Sequence, residues 1–233
     1  MKSLRDSGKV VGRNASVKQV ARQCNFRFPL SLRDFINAPG CPFTSCVHLH
    51  IKLWTVPNVP VETMLNRMRE IYTTAGIRVV VESRQDFSSP SVLTQLRDLD
   101  VVPQCPMGQT TDEQNVLYSN RDNVRENELA VHFIRSTIPP LNGCAAHPDD
   151  IAGVVVTQVA STWTLAHEIS HVLGLAHIDG ENQGCPDSNP NCCSTPDNTR
   201  LMTGCSTSNI VGTPTISDDE KNALRGSSLT RPC

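Results

Sequence analysis

Residues 164–177 read Thr164-Leu165-Ala166-His167-Glu168-Ile169-Ser170-His171-Val172-Leu173-Gly174-Leu175-Ala176-His177. The pattern is H-E-x-x-H-x-x-G-x-x-H. Leu165, Ile169 and Val172 recur at helical spacing, which predicts a helix burying that stripe, with Ser161 or Thr162 as its cap. On such a helix His167 and His171 stand one turn apart on one face, so two imidazoles can reach one ion. A straight continuation would carry His177 away along the axis. A sharp turn at Gly174, where glycine tolerates positive φ, brings it back. With this composition the five specified positions coincide on the order of once in 10⁵ random shufflings, so the motif is informative.

Three neutral imidazoles suit Zn²⁺ and leave the fourth tetrahedral position for water, the arrangement of a catalytic rather than a structural site. One zinc per chain is expected at His167, His171 and His177. Such an ion lowers the pKa of its water to roughly 7. Glu168, beside the first ligand, is placed to accept the water's proton during attack on a carbonyl and to pass it to the departing amine. The chemistry expected is amide hydrolysis. A zinc-binding interaction protein without turnover is one alternative, and an aminopeptidase or amidase is another. Metal-dependent cleavage of internal bonds in a denatured protein separates them.

At these residues the sequence resembles the metzincin clan of zinc endopeptidases, whose signature is this motif followed by a methionine-containing turn. The resemblance implies His167, His171 and His177 as zinc ligands, Glu168 as general base and Gly174 as the glycine ending the helix. Met202, in Arg200-Leu201-Met202-Thr203-Gly204, takes the place of the turn methionine. The implied fold is α/β: a twisted, mostly parallel sheet with an active-site helix and a small disulfide-rich C-terminal lower subdomain. The likeness spans about 47–226. Gly143-Cys144-Ala145-Ala146, then Gly153-Val154-Val155-Val156 and the helix, is similar to the reprolysin (adamalysin) arrangement of edge strand, connection and active-site helix. Ile178 intervenes before Asp179, where that group has Asp directly after the third His, and no Tyr follows Met202 as in astacin-like members. On this resemblance Gly143, Cys144, Ala145 and Ala146 form the edge that pairs with an extended protein or peptide substrate by β-augmentation. Residues 206–214, small and aliphatic, would wall the primed side and favour apolar side chains. Cys105, in Pro103-Gln104-Cys105-Pro106, is read either as the clan's zinc-held latency thiolate or as a disulfide or buried thiol.

The preceding chain alternates strands and helices. Val47, Leu49, Ile51 and Leu53 recur at period two, with His48 and His50 on the opposite face. Pro57 and Pro60 end that strand. Val61, Met64, Leu65, Met68 and Ile71 predict a helix to Thr74, with Gly76 at its C-terminal cap and a second strand over 77–82. Strand, helix, strand predicts a right-handed crossover with parallel strands. A short helix is expected over 92–99, with strands over 129–134 and 153–159. Ser217-Asp218-Asp219-Glu220 is a capping box opening a helix to Arg225. His48, His50, His132 and His147 have no mutual ligand spacing and are read as solvated or hydrogen-bonded. The acidic pairs Asp149-Asp150 and Asp218-Asp219 lack a diagnostic Ca²⁺ spacing.

The chain has 233 residues, 38% hydrophobic and 4% aromatic, with a net charge of -2, which gives one sizeable core and no basic, ring-interleaved patch for nucleic acid. No apolar stretch approaches the roughly 20 residues of a membrane helix. Residues 1–40 hold eight Lys/Arg against two acids, while the remainder holds 13 basic and 21 acidic residues. A basic arm over 1–40 therefore precedes a catalytic domain over 41–233, its upper part ending near 177 and its lower subdomain over 178–233. Ten cysteines without a C-x-x-C pair favour disulfides and oxidising surroundings. Those in the lower subdomain, Cys185, Cys192, Cys193 and Cys205, are expected to brace it against the zinc. Residues 1–20 contain no apolar signal core. The expected location is extracellular, by secretion or by a delivery route that needs no signal peptide.

Overall fold

The computed structural model describes residues 43–88, 96–178 and 198–233. The basic arm over 1–40, together with Cys185, Cys192 and Cys193, lies outside the described residues.

Strand β1 (Ser45–Leu53) leads through α1 (Val61–Thr74) to β2 (Ile77–Asp86), parallel to β1. The parallel pairing is the expected one, and β2 runs four residues past the predicted end at 82. Gly76 supplies the turn between helix and strand at φ 71°. Five strands stand in the order β2-β1-β4-β7-β6, with β4 Leu129–Ile134, β7 Gly153–Thr157 and β6 Gly143–Cys144. All neighbours are parallel except β6, which closes one edge antiparallel to β7. β8 (Thr230–Pro232) adds antiparallel to the start of β1, and Cys46 is disulfide-bonded to Cys233 there.

Every residue of β4 and β7 is buried, because side chains from both faces of these central strands meet a core. Below, Val47, Leu49, Ile51, Val154 and Val156 pack with α1 and with α3 (Thr164–Val172). Above, Trp54, Leu117, Tyr118, Ile134 and Val155 form a second cluster. The upper layer departs most from expectation. Asp98 and Leu99, the end of the helix expected over 92–99, belong instead to strand β3 (Asp98–Asp100), parallel to β5 (Ser136–Ile138), while 92–95 lie outside the described residues. α2 (Asp112–Ser119) was not anticipated, although Thr111 and Gln114 form a reciprocal capping box at its start. The strand expected to reach 159 ends at Thr157.

The helix expected after Ser217 is α4 (Asp218–Gly226), its capping box formed between Ser217 and Glu220. Among the described residues no helix is long and apolar enough to cross a membrane.

Candidate metal centre and cleft

Helix α3 enters beneath β6 and β7 with Trp163, rather than Ser161 or Thr162, at its N-cap position. Ser161 still serves the helix start, since its hydroxyl accepts from Trp163 N at 3.2 Å and its own N–H donates to the Thr164 hydroxyl at 2.9 Å. Leu165 and Ile169 are fully buried and Val172 partly, as the stripe required. After the helix the backbone reverses at Gly174, φ 104°. Gly174 N donates to His171 O and Leu175 N to Ser170 O, both at 2.9 Å, the paired bonds of a Schellman turn.

That turn returns His177 to the helix. The three Nε2 atoms then form a triangle: His167 to His171 3.1 Å, His171 to His177 3.0 Å and His167 to His177 3.2 Å. Donor atoms in a tetrahedral zinc site with bonds of about 2.0–2.1 Å are about 3.3 Å apart. Protonation agrees with the spacing. His167 Nδ1 lies 2.7 Å from Leu201 O and His171 Nδ1 2.8 Å from Leu175 O. A carbonyl can only accept, so each Nδ1 carries the hydrogen and each Nε2 presents a lone pair. Burial, then the neighbouring imidazoles, pushes His167 well below its ordinary pKa, and burial and His177 push His171 to about 4. Neutral rings aiming lone pairs at one another from about 3 Å repel until a cation sits among them, so the donor set fits zinc.

Met202 is fully buried, and its turn supports the triangle from below by backbone. Leu201 O holds His167, while Met202 O accepts from Ile178 N at 3.0 Å and so anchors the residue after His177. Neither Leu175 O nor Leu201 O was legible in advance, because any residue supplies a carbonyl.

The triangle opens into a cleft of ≈ 860 Å³ that Glu168 also lines. Its upper wall is 103–107 and 138–143 with Ala145, and its lower wall is 175–177 and 204–207. Of the four edge residues proposed for substrate, only Gly143 and Cys144 are strand. Gly143 and Ala145 face the cleft, whereas Cys144 and Ala146 point into the upper core. Cys144 is disulfide-bonded to Cys105. This removes the latency-thiolate reading of Cys105, and the bond instead fastens the 103–107 wall to β6. Cys205 is also disulfide-bonded.

The loop after Met202 reaches the cleft only through Gly204 to Thr207, which corrects the expectation of an aliphatic wall over 206–214. The contact there is polar. Thr207 Oγ1 lies 2.7 Å from Thr164 Oγ1 and accepts from Ser161 at 2.9 Å, and Asn142 Nδ2 donates to Ser206 Oγ at 2.8 Å.

A second group, His48, Glu82 and Glu128, also brings ligand-capable atoms within 4.8 Å of one another. It is an ion-pair network. His50 Nε2 lies 2.8 Å from Glu128, Arg231 donates to the other carboxylate oxygen at 2.8 Å, and Arg125 N donates at 3.1 Å. Burial alone would raise the Glu128 pKa, but these partners outweigh it and hold it at about 2. A metal cation would meet the Arg231 guanidinium. His48 pairs with Glu82, His132 accepts from Trp54 at 3.2 Å, and His147 bonds the Pro148 carbonyl, so all four remaining histidines are hydrogen-bonded as read.

No family model matches the chain. An extracellular metalloprotease of Trichophyton verrucosum (strain HKI 0517) is 24% identical over 160 residues, which is 66% of this chain and 57% of that protein. One from Arthroderma benhamiae (strain ATCC MYA-4681 / CBS 112371) is 22% identical over 158 residues, with the same coverage. The chain therefore spans little more than half the length of these relatives. Among solved structures, metalloproteinase-II from Bacteroides fragilis superposes with a TM-score of 0.51 at 15% identity, over 78% of this chain and 53% of that one. At that identity the likeness is one of fold. In sequence the chain is similar to extracellular metalloproteases, and it shares the fold of a metalloproteinase.

Proposed function

We propose that the protein is a secreted zinc-dependent endopeptidase of metzincin type, its catalytic domain spanning 41–233. The observation that carries the reading is the convergence of three Nε2 atoms at 3.0–3.2 Å in a cleft that Glu168 shares. His167, His171 and His177 would hold one zinc ion, whose Lewis acidity polarises a carbonyl and acidifies water. Glu168 takes a proton from the water attacking the carbonyl carbon and delivers it to the departing amine nitrogen. Leu201 O and Leu175 O keep two ligands in the tautomer that offers Nε2.

The edge strand orients the substrate. Thr157 N donates to Asn142 O at 3.0 Å, so by antiparallel alternation Gly143 turns its N–H and C=O away from β7. An extended peptide pairs with that edge through its main chain and lies across the cleft. The names of the relatives support an extracellular location and a protein substrate.

The test is cleavage of an unfolded protein by the purified chain, with zinc measured in parallel. Glu168→Gln retains about one zinc and the parent melting temperature while the rate falls roughly 10²-fold or more. Equal rates for variant and parent, or activity undiminished by chelation, overturn the reading.

A further inference from the structure

We propose that Gly143 is a positioning residue for Glu168, the absence of a side chain at 143 defining where the carboxylate sits. This rests on the reading of Glu168 as the proton-transfer group. An ideal Cβ on Gly143 would lie 2.6 Å from Glu168 Cγ, 2.7 Å from Oε1 and 2.9 Å from Cδ. Ordinary carbon contacts are about 3.5–4.0 Å, so the carboxylate arm occupies the volume that any other residue at 143 would fill.

The three nearest obstructing atoms all belong to the Glu168 side chain, and this decides how a methyl group would be accommodated. The edge strand cannot withdraw. Asn142 O is bonded to Thr157 N, Cys144 is covalently tied to Cys105, and Gln114 Nε2 donates to Ala146 O at 3.3 Å. Helix α3 cannot withdraw either, because Leu165, Ala166 and Ile169 are fully buried in the lower core. The remaining freedom is rotation of Glu168 about its own side-chain bonds. A methyl at 143 therefore moves the carboxylate and leaves the backbone where it is. Proton transfer needs a heavy-atom reach of about 2.6–3.2 Å, and a misplacement of about 1 Å can lower a rate on the order of 10²-fold.

Gly143→Ala is expected to keep one zinc and to melt within about 2 °C of the parent. Its kcat falls roughly 10- to 100-fold, while KM stays within about threefold. Glu168→Asp, one methylene shorter, separates this role from contact with the substrate main chain. The fold-loss it causes in the Gly143→Ala background is smaller than in the parent by about fivefold or more, because the shorter arm clears the methyl. A crystal structure of Gly143→Ala shows Glu168 in a different rotamer, a readout that requires no turnover.

An unchanged kcat, losses that simply multiply, or an unmoved Glu168 rotamer overturn the proposal. So does a Gly143→Ala protein that loses zinc or unfolds, since the obstruction would then have been relieved through the backbone. Full activity of Glu168→Gln would instead overturn the assignment of Glu168, which the rotamer readout leaves distinguishable from failure at Gly143.

Discussion

Replacing Gly174 with Ala tests whether the turn after α3 is what makes a third ligand available. At φ 104° the residue lies beyond the usual left-handed minimum near +57°, in a region side-chain-bearing residues rarely adopt. An added Cβ would meet nothing within 4 Å, so the penalty is conformational and free of clash. Its size is about 1–2 kcal/mol. In the metal-free protein the turn can relax and shed that strain, at the expense of the Gly174–His171 and Leu175–Ser170 bonds. Binding zinc requires the turn again, because it aims His177 and supplies the Leu175 carbonyl that orients His171. The strain is then charged against metal affinity, and zinc binding weakens about 5- to 30-fold. Competition with a chromophoric chelator measures this. Gly212, φ 75° and equally open around its Cβ, does not line the cleft and serves as control. Gly212→Ala destabilises the fold slightly and leaves zinc affinity unchanged. The reasoning is refuted if Gly174→Ala binds zinc as tightly as the parent, or if Gly212→Ala weakens it equally.

Burial, with the charges of Lys52 and Arg121, holds His132 at about 3, against the ordinary value of 6.5. Below pH 6.5 the unfolded chain takes up a proton that the folded one refuses until about pH 3, so stability is lost across that window. The loss is about 1.4 kcal/mol per pH unit, or about 3 kcal/mol by about pH 4.5. His132→Leu escapes it, and urea denaturation shows the stability gap between the two proteins narrowing by that amount on acidification; a constant gap excludes the assignment. Removing the Cys105–Cys144 bridge as a Ser pair opens a sequence separation of 39 residues, which lowers stability by up to about 4 kcal/mol on a chain-entropy account. The same change frees the 103–107 wall, so KM rises more than kcat falls; calorimetry and steady-state kinetics check both, and an unaltered melting temperature counts against the account.

What sequence made legible was what short spacing encodes. The alternation Val47 to Leu53, the helical stripe from Val61 and the capping box at Ser217 each specify their element within one window. The convergence of the three histidines was legible for the same reason, since a helix turn and a glycine reversal are local geometry. Asp98 and Leu99, expected to end a helix, are strand because β3 pairs with Ser136–Ile138, far along the chain. Local pattern holds no trace of that partner. α2 was a different omission, since Thr111-x-x-Gln114 carried a signal that weak amphipathicity obscured. The pairing of Cys105 with Cys144 and the approach of Gly143 to Glu168 arise only when β6 settles on β7 and α3. The polar lower wall was missed because loop composition does not say which residues face inward: Ser206 and Thr207 do, and the aliphatic residues beyond them do not.

The Cys46–Cys233 bridge, with a sequence separation of 187 residues, makes everything between those two positions a closed covalent ring. A ring cut once is still one molecule. Surfaces where a protease could nick it include the segments around Val56, 62% exposed, and Val211, 77% exposed. A single cut at either place separates no fragment while the bridge is oxidised, and the parallel strands on both sides stay in register. For a protein proposed to work among proteases, its own copies included, the bridge turns the first cleavage into a tolerated injury. Dismemberment then waits for a second cut or for a reductant.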